Sequence, residues 1–191
     1  MKGMLKALTA VALASAFVAT SAKAQGSMPV KFGVGGGVNF PLSDFKDAAK
    51  MGFQGTALVQ FAPQNLPVAF RVDGAYAQNK FSDALVTAGG TDGKWQDIYG
   101  TANVVYTFKT AESSKIHPYL IAGGGVYNMK AKPDAGTSAS TTKFGVNGGA
   151  GFDMAAGGAT VFIEGRFHSV FTSGSNSNFV PVNIGVKFGG K

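Results

Sequence analysis

Few residues in this chain have side chains suited to chemistry. There is no cysteine, and the only histidines are His117 and His168. Thiolate nucleophiles, disulfides and the His/Cys spacings of zinc sites are therefore excluded, and no metal or cofactor is expected. His168 is followed by Ser169, which would supply the base and nucleophile of an ester hydrolase. On an extended segment, however, adjacent side chains point to opposite faces, so a direct hydrogen bond between them would need a bulge. His117 precedes Pro118 in a short turn and reads as a solvated turn histidine. What remains is ionic. Arg71 and Asp73 stand two apart, as do Glu164, Arg166 and His168, so each set lies on one face of an extended segment. Both signs are present, which suits a network of paired charges; gating or proton passage is the other use of such a set.

Those residues must be positioned by something other than long helices. Gly accounts for 28 of 191 residues, too many for a helical protein, and no apolar run after the N-terminus approaches the length of a membrane-spanning helix. The N-terminus itself reads as a secretory signal peptide over residues 1–24. Lys2 and Lys6 precede an apolar run from Ala7 to Val18, and Ala22-Lys23-Ala24 places small residues at the cleavage positions. The apolar run is too short for a retained anchor. Residues 25–191 then form a single domain. Seventeen Lys and Arg oppose ten Asp and Glu, but three of the basic residues belong to the leader and the rest form no cluster. Nucleic acid is excluded as a partner on that ground, and anionic lipid headgroups are favoured.

Period-two alternation runs through the exported part. Val180, Val182, Ile184, Val186 and Phe188 form one apolar face, with Phe179, Pro181, Asn183, Gly185 and Lys187 between them. Phe32, Val34, Val38 and Phe40 alternate with Lys31, Gly33, Gly35, Gly37 and Asn39. Phe53, Ala57, Val59 and Phe61 alternate with Gln54, Thr56, Leu58 and Gln60. Val68, Phe70, Val72 and Tyr76 are set against Arg71, Asp73 and Gln78. Further segments span Gln96 to Phe108, Tyr119 to Met129, Lys143 to Met154 and Thr160 to Phe171, making eight. The links alternate in length. Short ones fall at Ala62 to Pro67, Ala111 to His117 and Ala155 to Gly158. Longer, turn-rich ones fall at Pro41 to Gly52, Lys80 to Lys94, Ala131 to Thr142 and Thr172 to Asn178. This is the pattern of an all-β, eight-stranded antiparallel up-and-down transmembrane β-barrel, with short periplasmic turns, longer outer loops and both termini in the periplasm.

A soluble lipocalin-like barrel would also alternate, but it needs a solvating outer face. Here the polar face is largely Gly, Ala, Asn, Thr and Gln, which suits a narrow filled lumen. Phe40, Phe53, Phe61, Phe108, Phe171 and Phe188 sit at strand ends, as interfacial girdles do. The phase of the seventh segment follows from energy: an Arg facing the bilayer midplane costs roughly 2–4 kcal/mol, so Glu164, Arg166 and His168 point inward. Val161, Ile163, Phe167 and Phe171 then face lipid, interrupted by Gly165 and Ser169. Trp95, Tyr99, Tyr106, Tyr119 and Tyr127 could form a sugar-stacking platform but read more economically as belt or packing residues. Phe45 and Phe81 are the main aromatics in the loops.

The glycine-rich first strand Phe32-Gly33-Val34-Gly35-Gly36-Gly37, the penultimate strand Phe162-Ile163-Glu164-Gly165-Arg166-Phe167 and the closing alternation to Phe188 resemble the small outer-membrane β-barrel domain proteins related to OmpX and the OmpA transmembrane domain. The resemblance covers nearly the whole exported chain. It implies an outer-membrane location, outer-membrane lipids and lipopolysaccharide as surroundings, a monomer, and roles in envelope integrity or surface interaction through the outer loops. It also implies that Val182, Ile184, Val186 and Phe188 are read by the outer-membrane insertion machinery, although this chain continues past Phe188 with Gly189-Gly190-Lys191. Barrels that deacylate lipid A are a looser likeness, since they place His and Ser two apart on one face, and Val170 occupies that position here. Lipid A-modifying enzyme and small porin-like pore are the functional alternatives, and none of the matching pieces is a catalytic signature.

Overall fold

A computed structural model of the protein describes residues 30–63, 66–111 and 113–190; the leader read in residues 1–24 and the first residues of the exported chain lie outside them. Eight strands follow one another: β1 (Val30–Leu42), β2 (Ala49–Phe61), β3 (Val68–Phe81), β4 (Gly93–Thr107), β5 (Ile116–Pro133), β6 (Ala139–Ala156), β7 (Ala159–Val170) and β8 (Ser177–Gly189). Each pairs antiparallel with its sequence neighbours, and β1 closes on β8 with Phe32 opposite Phe188 and Val38 opposite Val182. Closure leaves no sheet edge unpaired.

The alternation sets the faces as expected. Outward stand Val34, Val72, Ile98, Phe144 and Ile184 with Phe40, Phe53, Phe108, Phe171 and Phe188 of the girdles, all exposed large apolar side chains, and a half-buried Phe61. Inward stand Arg71, Asp73, Asn103, Glu164, Arg166, His168 and Lys187, all buried. A soluble barrel would invert this arrangement. Inward glycines give the lumen room: a Cβ on Gly185 would come within 2.5 Å of the Phe162 ring, and one on Gly151 within 2.5 Å of Tyr119. The last strand ends where Gly189 (φ 93°) and Gly190 (φ 79°) adopt left-handed backbone that other residues rarely enter.

Several expectations need correction. Gln78 belongs to the outward face of β3, not to the polar set of Arg71 and Asp73; its side chain accepts from Tyr76 Oη at 3.2 Å and from Gln96 Nε2 at 3.2 Å. The strands are longer than read at the outer end. The Ala131 to Thr142 link is mostly hairpin, with Ala131 paired to Ala139; its Ser and Thr residues look loop-like, but Thr fits a pleated surface. Two outer links carry short helices, α1 (Asp44–Ala48) and α2 (Asp83–Gly89). Ser82 caps α2 by accepting from the Leu85 amide at 3.1 Å, and left-handed Gly90 ends it.

Candidate functional site

An eight-stranded interior is just wide enough for side chains to fill, and here they fill it in tiers. Near the end that carries the short turns Lys187 Nζ donates to Asp153 Oδ2 at 2.6 Å, and it also lies over the Tyr119 ring at 5.1 Å and the Phe162 ring at 5.5 Å. Beside this pair a vestibule of about 620 Å³, lined by Lys31, Gln60, Val105, His117 and Thr160 among others, opens at the end of the barrel that carries the start of β1, the end of β8 and the short turns. His117 is therefore a vestibule residue, with Nδ1 2.7 Å from Thr110 Oγ1.

The central tier joins opposite walls. Arg71 and Asp73 come from β3, Glu164 and Arg166 from β7, half the circumference away. Arg71 Nη2 donates to Glu164 Oε1 at 2.8 Å and its Nε lies 3.0 Å from Asp73 Oδ1. Arg166 Nη2 reaches Glu164 Oε1 at 2.5 Å and Asp73 Oδ1 at 3.3 Å. Tyr119 Oη donates to Glu164 Oε2 at 2.8 Å, and Asn103 Nδ2 to Asp73 Oδ2 at 2.7 Å. Two guanidiniums thus face two carboxylates in a closed square, and their mutual pairing offsets the desolvation that each charge alone would suffer. Together with Lys187 and Asp153, the buried ion-paired charges balance.

His168, from the same inward row, stands one tier higher and makes no ion pair among the described residues. Its Nδ1 shares a 2.8 Å hydrogen bond with Tyr127 Oη, and its ring stacks on Phe179 at 4.8 Å between centroids. Tyr99 stacks on Tyr127 at 5.1 Å and donates from Oη to Gln54 Oε1 at 2.7 Å. The void between this tier and the ion square is about 10 Å³, the room of one water. Above it Asn39 Nδ2 donates to Asn79 Oδ1 at 3.0 Å. At the outer mouth Phe45 and Phe81 pack on Trp95, whose indole donates to Ala48 O at 3.1 Å, so α1 is drawn over the opening.

The aromatics read as a belt therefore divide. Tyr99, Tyr119 and Tyr127 are buried lumen packing, Trp95 lines the mouth, and only Tyr106 faces outward. Ser169 lies on the outer face while Val170, fully buried in the lumen, takes the position a second hydrolytic side chain would need. His168 thus has no serine beside it inside the barrel. Asp153, Lys187, Asn103 and Tyr119 complete the lumen set although their types did not single them out; strand parity alone could have placed them there. Asp97 is also buried, and both of its carboxylate oxygens lack a hydrogen-bond partner among the described residues. Val182, Ile184, Val186 and Phe188 form the outward row of β8 beside β1 and β7.

Comparison with known proteins agrees with this architecture. The chain belongs to the outer membrane protein beta-barrel domain family, whose model matches residues 10–189. Among solved structures it is similar to Neisserial surface protein A, at 19% identity and a TM-score of 0.63 over 83% of this chain and 96% of that one. It is also similar to Ail, the attachment invasion locus protein of Yersinia pestis solved with the heparin analogue sucrose octasulfate (15% identity, TM-score 0.54, 85% and 100% covered). The outer membrane enzyme PagL superposes comparably, at 15% identity and a TM-score of 0.53 over 83% of this chain and 98% of that one. At these identities the likeness is one of fold. No curated protein shows a significant sequence match.

Proposed function

We propose that this member of the outer membrane protein β-barrel domain family neither conducts nor catalyses, and serves envelope integrity or surface interaction through its outer end. In this reading it is exported by the leader in residues 1–24, inserted through the β8 row ending at Phe188, and stays monomeric among outer-membrane lipids and lipopolysaccharide. The observation that carries the proposal is the filled lumen: the ion square, the stacked tier above it and the Phe45–Trp95 cap close successive levels of the interior. A pore would need a continuous wet path, whereas the void between two of these tiers holds about one water. A deacylase would need a nucleophile within hydrogen-bond reach of its base, and the hydroxyl nearest His168 in sequence lies on the other side of the wall.

The test is planar-bilayer recording on the folded protein, alongside labelling of an epitope placed at Gly136 on intact cells. No steady conductance and surface labelling are expected. A large, stable open-channel current would overturn the plug, and labelling confined to permeabilised cells would reverse the topology.

A further inference from the structure

Followed outward from the middle of the barrel, the external face of β3, β4 and β5 changes character in three steps. Apolar residues, ending with Tyr76, Ile98 and Val126, give way to the amides Gln78, Gln96 and Asn128, and these to lysines. Lys80 lies directly across from Lys94, Lys94 directly across from Lys132, and Lys130 beside Gln96. At roughly 3.3 Å per residue and a tilt of roughly 40°, Lys80 stands about 10 Å above Tyr76, just beyond the hydrocarbon boundary.

Like charges directly opposite one another in a sheet are destabilising, so the row needs an explanation. Among the described residues, none of the ion pairs involves these four lysines. Asp92 and Asp134 sit in the adjoining connections, bonded to each other only through backbone, Asp134 N to Asp92 O at 2.8 Å. Interfacial snorkelling would spread lysines around the rim. Instead the outer ends of β7, β8 and β1 present Ser169, Asn178, Val180, Phe40 and Leu42, with no cation.

A second feature of the same strands points to what would sit there. Beneath the lysines the outward wall is thin: Gly74 pairs with Gly100, and Ala102 with Gly124. A Cβ at Gly74 would meet nothing within 4 Å, and one at Gly100 only a backbone oxygen at 3.9 Å. This shallow channel leads toward an external groove of about 350 Å³ lined by Val59, Phe70, Val104 and Ala122 among others. Cations above a channel of small apolar residues match an amphiphile whose anionic head is followed by several acyl chains.

We propose that Lys80, Lys94, Lys130 and Lys132 bind the phosphates of a phosphorylated glycolipid of the outer leaflet, whose acyl chains lie in the channel below. The inference rests on the outer-membrane reading above, because it takes the lysine-bearing end to face the outer leaflet. Lipid phosphates between the strands would turn the cross-strand repulsion into attraction, so the folded barrel and the bound lipid would stabilise each other.

The experiment uses the full exported chain folded in detergent micelles, with bound lipid counted by native mass spectrometry. The probes are bisphosphorylated lipid A, its dephosphorylated form and inorganic pyrophosphate. Bisphosphorylated lipid A is expected to bind, and loss of its phosphates to weaken binding about a hundredfold. Lys80→Gln/Lys94→Gln/Lys132→Gln should do the same, at about fivefold per lysine, while Lys46→Gln leaves binding unchanged. These side chains are on the surface, so the triple variant should keep its heat-modifiable gel shift; single Lys94→Gln, with a fivefold loss, serves as the check. Equal binding of dephosphorylated lipid, an unaffected triple variant, or pyrophosphate binding as tightly as lipid A would each overturn the proposal. Micelles have no leaflets, so a reversed orientation on cells would defeat the surface reading without altering these results.

Discussion

Replacing Glu164 with Gln isolates the charge at the centre of the lumen while keeping its shape and an acceptor for Tyr119. The carboxylate is 1% exposed and receives Arg71 at 2.8 Å and Arg166 at 2.5 Å. At an effective dielectric of about 20, attraction at 2.8 Å is about 6 kcal/mol for one guanidinium. Desolvation of the carboxylate, which Gln avoids, cancels several kcal/mol of the combined attraction. The variant keeps two guanidiniums against Asp73 alone, and losing one member of a buried charged set costs about 3–5 kcal/mol. Screening by water should reduce this little, since the adjoining void is about 10 Å³. The assay is urea unfolding in phosphatidylcholine vesicles, read as the fraction that migrates as the folded form without boiling. Arg71→Gln/Glu164→Gln leaves Arg166 facing Asp73 one to one, so it should cost at least about 2 kcal/mol less than the two single changes added together. Val182→Ala on the lipid face should cost about 1 kcal/mol. If Glu164→Gln is within about 1 kcal/mol of the unmodified protein, or the single costs simply add, the lumen is wet and the reasoning fails.

Asp97→Leu should raise the unfolding midpoint, by about 1–3 kcal/mol in stability, because it removes a buried carboxylate with no partner among the described residues from a position between Ala77 and Met129; a loss of stability in the same urea assay would mean the carboxylate is served by water. Gly185→Ala should destabilise by about 1–3 kcal/mol through overpacking against Phe162, whereas Gly74→Ala, with nothing within 4 Å, should stay within about 0.5 kcal/mol; paired melts of the two variants decide. A short epitope inserted at Gly136, in the turn between β5 and β6, should leave the gel shift intact, while the same insertion between Lys130 and Ala131 should abolish it, since Lys130 is laddered to Ser140 and Ala131 to Ala139.

Most of the barrel was legible because period two is a strong signal when repeated, and because a charge in lipid is so costly that Arg166 alone fixes the phase of β7. Gln78 was misplaced because an interfacial amide is polar on an otherwise apolar row; only its parity with Tyr76 reveals the side. Strand ends near Ser140 and Thr141 were misread because hairpin and loop share small polar residues above the membrane. Helix α2 carried a readable signal, Ser82 before the helix and Gly90 after it, masked by its brevity. In the lumen, Arg71, Asp73, Glu164 and Arg166 announced themselves by charge. Asp153 and Lys187 did so less because each stands alone in an apolar segment, between Phe152 and Met154 and between Val186 and Phe188. That Glu164 and Arg166 can reach Arg71 or Asp73 follows from the opposite places of the third and seventh strands among eight; which atoms pair there, and that His168 stands outside the ion pairs, depends on register and shear, which strand alternation alone does not encode.

The glycines connect these points. A strand with Gly35, Gly36 and Gly37 gives up β-propensity, a loss that makes sense only if another part of the structure gains from it. The gain lies opposite several of the inward glycines. Gly185 and Gly35 border the Phe162 ring, Gly151 borders Tyr119, and Gly145 borders Tyr127. Large inward side chains and missing ones are thus paired across the wall, so Tyr119 can reach Glu164 and Phe162 can lie beneath Lys187 within a lumen that an eight-stranded barrel keeps narrow. Widening the interior with more strands would remove the need for glycine but would separate Arg71 from Glu164 and let water between them. The narrow barrel, the glycines and the buried ion square therefore depend on one another, and each can be tested by disturbing the others: Gly151→Val should push Tyr119 aside and weaken the Glu164 cluster it serves. In a urea cycle with Tyr119→Phe, the two changes should then be strongly non-additive, and simple additivity would show that the glycines and the ion square are independent.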